Sequence, residues 1–250
     1  MNNSYLMGID ISGANGNIDW QQVANTGLVN FVFAKATEGL TFVDAQFKKN
    51  WQSIKDNGWI RGAYHFGRDG NDPIQEADHF ISTVGDLDAG DLLVLDIETG
   101  SLKGTQFTDW VIAWCNRVVS KTNHIPIIYT GSFWTGVAPT STKDVIDQLS
   151  RYPLWLAAYV ANPDKWVPMI WKQVGWKIWQ VSGDVAPPGY SVLHLPGVHG
   201  NIDKDFFTGS LDDLKAFAVS LYTAPNSEEN TETPPPEQNQ DDGAGWEVVK

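Results

Sequence analysis

Hydrophobic and polar positions along the chain follow two alternating periods. Apolar runs four to six residues long, rich in β-branched and aromatic side chains, predict buried strands at 6–11, 31–36, 61–66, 92–97, 125–129, 154–159 and 176–181, with a weaker one at 200–203. Between them, apolar residues recur every three or four positions, the spacing of one buried helix face. Phe47, Trp51 and Ile54 form one such stripe, Ala77, Phe80, Ile81 and Val84 a second, the series from Phe107 to Val118 a third, and Val145, Ile146 and Leu149 a fourth. A last helix is expected after Ser210, where Asp213 completes a capping pair and Leu214, Phe217 and Leu221 supply the stripe.

Strands that alternate with helices make an α/β fold around a parallel sheet. Eight strands in about 220 residues is the count of a (β/α)8-type barrel, with an open doubly wound sheet as the alternative. The repeat weakens late. The connections 161–175 and 182–199 carry Pro163, Pro168, Pro187, Pro188 and Pro196 with little helical spacing, so the C-terminal third is expected to be irregular. From Thr223 the composition turns to Ser, Glu, Asn, Thr and Pro, including Pro234-Pro235-Pro236. The expected organisation is one barrel over 1–222 and an acidic, Pro-rich flexible linker or tail over 223–250.

Charge narrows the partners. The chain carries 17 basic and 30 acidic side chains, a formal charge of −13. Residues 223–250 hold seven acids against Lys250, which leaves −7 on residues 1–222. With no Lys/Arg-rich stretch, nucleic acids and anionic membranes are not expected partners. The segment Met1 to Met7 lacks the basic start and apolar run of a signal peptide, and no stretch is apolar enough to span a membrane, so synthesis in the cytoplasm is expected. The single cysteine, Cys115, sits in a helical stripe and is read as a packed hydrophobe.

In a barrel of this kind, chemistry belongs at the carboxyl ends of the strands. Three apolar runs end there in acids: Gly8-Ile9-Asp10, Leu95-Asp96-Ile97-Glu98 and Asn201-Ile202-Asp203. Residues two apart in a strand point to the same side at about 7 Å, so Asp96 and Glu98 are expected to share the mouth, one with a raised pKa fit for a general acid. Closure brings the last strand beside the first, so Asp10 and Asp203 are expected as neighbours opposite that pair. Tyr64, Phe66, Tyr129, Trp155, Tyr159 and Trp179 fall at or near strand ends, where a sugar ring could stack on them or where they could simply fill the barrel. His65, beside Tyr64, is read as a structural, hydrogen-bonded histidine before a mouth residue. The histidines show no HExxH spacing, and no EF-hand loop or nucleophile elbow is present, so no metal is expected.

Taken in order, Gly8-Ile9-Asp10-Ile11-Ser12, Phe33-Ala34-Lys35-Ala36-Thr37-Glu38-Gly39, Gly62-Ala63-Tyr64-His65-Phe66, Leu95-Asp96-Ile97-Glu98, Pro126-Ile127-Ile128-Tyr129-Thr130, Leu154-Trp155-Leu156-Ala157-Ala158-Tyr159, Ile178-Trp179-Gln180 and Ile202-Asp203 form a specific pattern. Through most of residues 5–222 the chain resembles the glycoside hydrolase family 25 lysozymes, the Chalaropsis-type N-acetylmuramidases. The resemblance implies a TIM-like, flattened (β/α)5(β)3 barrel and hydrolysis, without a cofactor, of the β-1,4 bond between N-acetylmuramic acid and N-acetylglucosamine in peptidoglycan. It implies Glu98 as general acid/base, Asp96 as its catalytic partner and Asp10 and Asp203 as further acids of the centre. Gln180, followed by Val181 where the family more often has Tyr, is a substrate-side expectation. Whether Asp96 bonds to the sugar or steadies an oxazolinium ion stays open at this point, as do a non-catalytic peptidoglycan-binding module and a hydrolase of another N-acetylated glycan such as chitin. The expected agent is a monomer that lyses the bacterial cell wall, with a phage or prophage endolysin as its source.

Overall fold

The apolar runs pair edge to edge until the sheet meets itself. In the computed structural model, residues 5–224 are described. Strand β1 (Tyr5–Ile11) leads through helix α1 (Trp20–Asn25) to β2 (Val29–Glu38), a two-residue strand β3 (Phe42–Val43), helix α2 (Phe47–Asp56) and β4 (Ile60–Phe66). Helix α3 (Pro73–Val84), β5 (Leu92–Asp96), α4 (Gly104–Thr122) and β6 (Ile127–Thr130) continue the repeat, followed by α5 (Ser132–Val137), α6 (Lys143–Leu149) and β7 (Leu154–Ala157). Only short 3-10 turns at Pro163–Trp166 and Met169–Trp171 separate β7 from β8 (Ile178–Ser182), and no helix precedes β9 (Asp203–Thr208). Helix α7 (Leu211–Ser220) ends the described chain.

The sheet runs β1-β9-β8-β7-β6-β5-β4-β2-β3, and β1 also pairs with β2, so eight strands close and β3 hangs on the edge of β2. The pairings from β1 through β2 and β4 to β8 are parallel, while β9 lies antiparallel between β8 and β1. The doubly wound alternative is thereby ruled out. Proline-rich connections with few helical stripes leave β8 and β9 without covering helices, as the composition of 161–199 led us to expect.

The last strand corrects its sequence-based placement. Its bounds are 203–208 rather than 200–203, because the alternating Asp203, Asp205 and Phe207 of an antiparallel strand do not form an apolar run. Reversal also changes which end matters: Asp203 begins its strand, yet sits at the mouth where the parallel strands finish. Helix α1, α5 and β3, too short to show a periodic stripe, were not anticipated. The tail expected over 223–250 lies, from Pro225 onward, outside the described residues.

Two apolar layers hold the barrel. The larger joins the sheet's outer face to the helices, with Trp114, Trp134, Trp171 and Trp179 among its fully buried members. The smaller fills the lumen with Phe31, Phe33, Leu92, Val94, Ile127 and Trp155, and Leu214 and Ala218 of α7, with Leu221 just after it, close it at the end opposite the mouth. Phe31 and Phe33 lie flat over β1 and β4 only because those strands carry glycine: a Cβ on Gly8 or Gly62 would sit 2.1 or 2.0 Å from a phenyl carbon. The lumen is thus packed at its floor, and a cleft remains only above it.

Candidate active site

Asp96 is the final residue of β5, and the extended path continues through Ile97, whose N–H donates to Tyr129 O at 3.0 Å and whose carbonyl accepts from Thr130 Oγ1 at 2.8 Å. This tether to β6 keeps the strand's two-residue alternation, so Glu98 stands above Asp96 on the inner side and both line the cleft. Asp96 is 7% exposed, and among the described residues its Oδ1 has no hydrogen-bond partner. Burial, reinforced by the Glu98 charge, holds its carboxyl well above the usual range, against the pull of Lys35. Glu98 opens to solvent, and partial desolvation still raises its pKa, again against Lys35.

Facing them, the antiparallel register sets Asp10 directly beside Asp203. The next inward residue of β9, Asp205, is 0% exposed. Burial first, then the Asp203 and Asp205 charges, push Asp10 well above the ordinary carboxylate range. Asp203, desolvated and close to the Asp184 and Glu98 charges, is raised to about 6. Gln180 organises this side: its Nε2 donates to Asp10 Oδ2 at 2.8 Å, and its Oε1 accepts from Tyr129 OH and Tyr159 OH, each at 2.8 Å.

The cleft has two lobes that meet at Glu98 and Tyr129. A polar lobe of about 180 Å³ contains Asp10, Asp96, Asp203, Lys35, Tyr64 and Phe66, with Trp155 and Gln180 in its floor. A more apolar lobe of about 440 Å³ is walled by Phe133, Tyr159, Val160 and Trp166. Lys35 projects over the Phe66 ring at 4.9 Å and pairs with Glu38 at 2.6 Å, and Glu38 also receives Arg68. A single cation therefore stands among the cleft acids with its own counterion already in place.

Carboxyls with raised pKa values over a sugar-sized aromatic trough match the requirements of glycoside hydrolysis. The sequence pattern of the glycosyl hydrolases family 25 matches residues 9–190. The chain belongs to this family. Lysozyme M1 of Streptomyces globisporus is 31% identical over 227 residues, covering 86% of this chain and 72% of that protein. The uncharacterized protein YegX of Escherichia coli K12 is 33% identical, covering 88% and 76%. Among solved structures, the lysozyme of Streptomyces coelicolor superposes with a TM-score of 0.75 at 30% identity, over 88% of this chain and 100% of that one. The chain is a glycoside hydrolase, and its closed eight-stranded barrel is the fold of family 25 lysozymes.

Within this family 25 barrel, Asp10, Asp96, Glu98, Asp203, Tyr64, Phe66, Tyr129, Trp155, Tyr159 and Gln180 all reach the cleft. Trp179 does not. It is 1% exposed, on the outer face of β8, where its Nε1 donates to Ala158 O and its ring packs on Tyr5 and Phe206. Alternation decides this: Gln180 faces in, so its neighbour must face out. His65 also faces outward, bridging Thr37 and Glu76. Lys35, Phe133, Trp166 and Asp205 escaped the sequence reading. Asp205 lies beyond the expected strand end at 203, and Lys35 is set opposite Tyr64 only by the register of β2 on β4; Phe133 and Trp166 lie in connections with no periodic signal.

Proposed function

We propose that this chain cuts the β-1,4 bond from N-acetylmuramic acid to N-acetylglucosamine in peptidoglycan, with Glu98 as general acid/base and Asp96 as its catalytic partner. The carrying observation is the position of Glu98 at the junction of the two lobes, where a glycan lying along the cleft has its scissile bond over the one solvent-facing carboxyl of the β5 pair. Glu98 first protonates the leaving oxygen and then, as a carboxylate, takes a proton from the incoming water. Asp96, below it, faces the positive charge that develops at the sugar carbon. Asp10 and Asp203 form the opposite wall of the same centre. Tyr64, Phe66, Tyr129, Trp155 and Tyr159 supply stacking and hydroxyl contacts to the sugars, and Gln180 orders the hydroxyls.

The names of the related lysozymes support the substrate, and the reading extends to a monomer acting at the bacterial wall. Among the described residues no helix is long and apolar enough to cross a membrane. The overall charge of −13 argues against nucleic acid as a partner.

Glu98→Gln keeps shape and removes the transferable proton. Its expected effect is a loss of roughly 10²–10⁴-fold in release of reducing ends from purified walls, with an unchanged circular dichroism spectrum. Because Glu98 must enter protonated and its pKa is raised, wild-type activity falls as pH climbs through that raised value. Mass analysis of products from peptidoglycan and chitin side by side should show new N-acetylmuramic acid reducing ends and intact chitin. Equal cleavage of chitin would overturn the substrate assignment.

A further inference from the structure

Asp205 is the one acid of the lumen that no part of the reaction uses. It lies two residues deeper on β9 than Asp203, is wholly buried, and pairs in register with Gly8 on one side and Gln180 on the other. One of its oxygens is satisfied, since Trp155 Nε1 donates to Oδ1 at 2.9 Å. Among the described residues no donor reaches Oδ2. What does lie beside Asp205 is another carboxyl, that of Asp10, which also touches Asp203. Two carboxylates cannot bond to each other, and two buried like charges in contact are strongly disfavoured.

From this geometry we infer that Asp205 is a positioning residue, which clamps Asp10 through one proton shared between the two carboxyls. Trp155 fixes Asp205 from one side and Gln180 fixes Asp10 from the other, so the shared proton completes a chain Trp155–Asp205–Asp10–Gln180 across three adjoining strands and the floor. The pair carries one negative charge instead of two, and it aims Asp10 at the cleft. The other ionisable groups facing this pair are Asp203 from β9, Tyr64 from β4, Tyr129 from β6, Tyr159 after β7, and Asp96 and Glu98 at β5; Lys35 of β2 is the only cation of the polar lobe. Asp10 and Asp205 both titrate far above the usual carboxylate range, chiefly through burial, as a pair holding a proton at neutral pH requires.

Two substitutions separate a proton clamp from mere packing. Asp205→Asn keeps an acceptor for Trp155 and presents a permanent N–H donor to Asp10, which reproduces the pair's single charge. Asp205→Leu fills the same space with no donor. The asparagine variant is expected to keep kcat within about threefold of wild type, whereas the leucine variant loses about 100-fold in kcat with KM within threefold, the scale of a misplaced charged group. Equal kcat in both variants would overturn the clamp.

The kinetic arm rests on Asp10 taking part in glycan cleavage, but two further readouts do not. A group whose folded pKa exceeds its unfolded one makes stability fall as pH rises. Asp205→Asn is therefore expected to melt at least about 3 °C above wild type at pH 8 and level with it at pH 4. The infrared carbonyl stretch of a protonated carboxylic acid should be present in wild type at pH 7 and weaker by one group in Asp205→Asn. If both readouts are unchanged, the shared proton does not exist; if both change while kcat does not respond, the proton is there and Asp10 is not held by it for catalysis.

Discussion

Gln180 shows how much of this site one side chain organises. Its amide faces an acid with its nitrogen and two phenols with its oxygen, an orientation fixed because only the nitrogen can donate to Asp10 and only the oxygen can accept from Tyr129 and Tyr159. The sequence pointed to Gln180 as a residue on the substrate side, and it lines the floor of the cleft at 2% exposure. Gln180→Leu would keep the volume and orphan one carboxylate oxygen and two hydroxyls. Such orphans cost about 1–3 kcal/mol each when buried, and Tyr159 can recover most of its share from water, so a loss of about 2–6 kcal/mol is expected in a urea melt. Activity should fall at least tenfold, since Asp10 then has one side unheld. A variant as stable as wild type would mean that water replaces the amide.

At the scale of elements, what was legible depended on period. Parallel strands buried on both faces read as continuous apolar runs, and β1, β2, β4, β5 and β7 each begin within two residues of the expected positions, with β6 and β8 two residues late. The antiparallel β9 was misplaced because its inward side is acidic. Helix α7 was found from its start signal, and Ser210 and Asp213 do form the reciprocal capping pair. Invisible in the sequence were contacts between elements far apart in the chain. Arg61 at the start of β4 makes a two-pronged bond to Asp91 just before β5, at 2.6 and 2.7 Å, while its guanidinium lies 3.9 Å from the Trp51 ring centre. Both partners are buried, so Arg61→Ala leaves a buried charge unpaired, and a loss of about 3–5 kcal/mol is expected from thermal unfolding. The double variant Arg61→Ala with Asp91→Ala should recover part of it, because no orphan charge remains.

For the whole molecule, the cleft acids oppose stability. The lumen floor, with Phe31, Phe33 and Trp155 packed under the cleft, gives the barrel apolar burial, while above it Asp10, Asp96, Asp203 and Asp205 are all held above their usual pKa values, burial being the largest cause for each. Three of these four were readable as ends or beginnings of strands; the fourth needed the register of β9 against β1, which no sequence spacing carries. Asp203 offers the cleanest measurement because its value lies in an accessible range. Its carboxyl titrates near 3.8 in a solvated reference and is raised to about 6 in the fold. The folded state therefore binds the proton more tightly, so its contribution to stability is most favourable below pH 4, declines as pH rises toward 6, and stays at the lower level beyond. Asp203→Asn removes the titration. After allowance for solvent screening of this half-buried group, the variant should be about 1 kcal/mol more stable than wild type at pH 7 and no more stable at pH 3.5, as read from chemical denaturation at both pH values. A gain of the same size at both would show that charge plays no part. If the gain at pH 7 comes with lost wall hydrolysis, the acid is kept at the mouth for chemistry at the expense of stability.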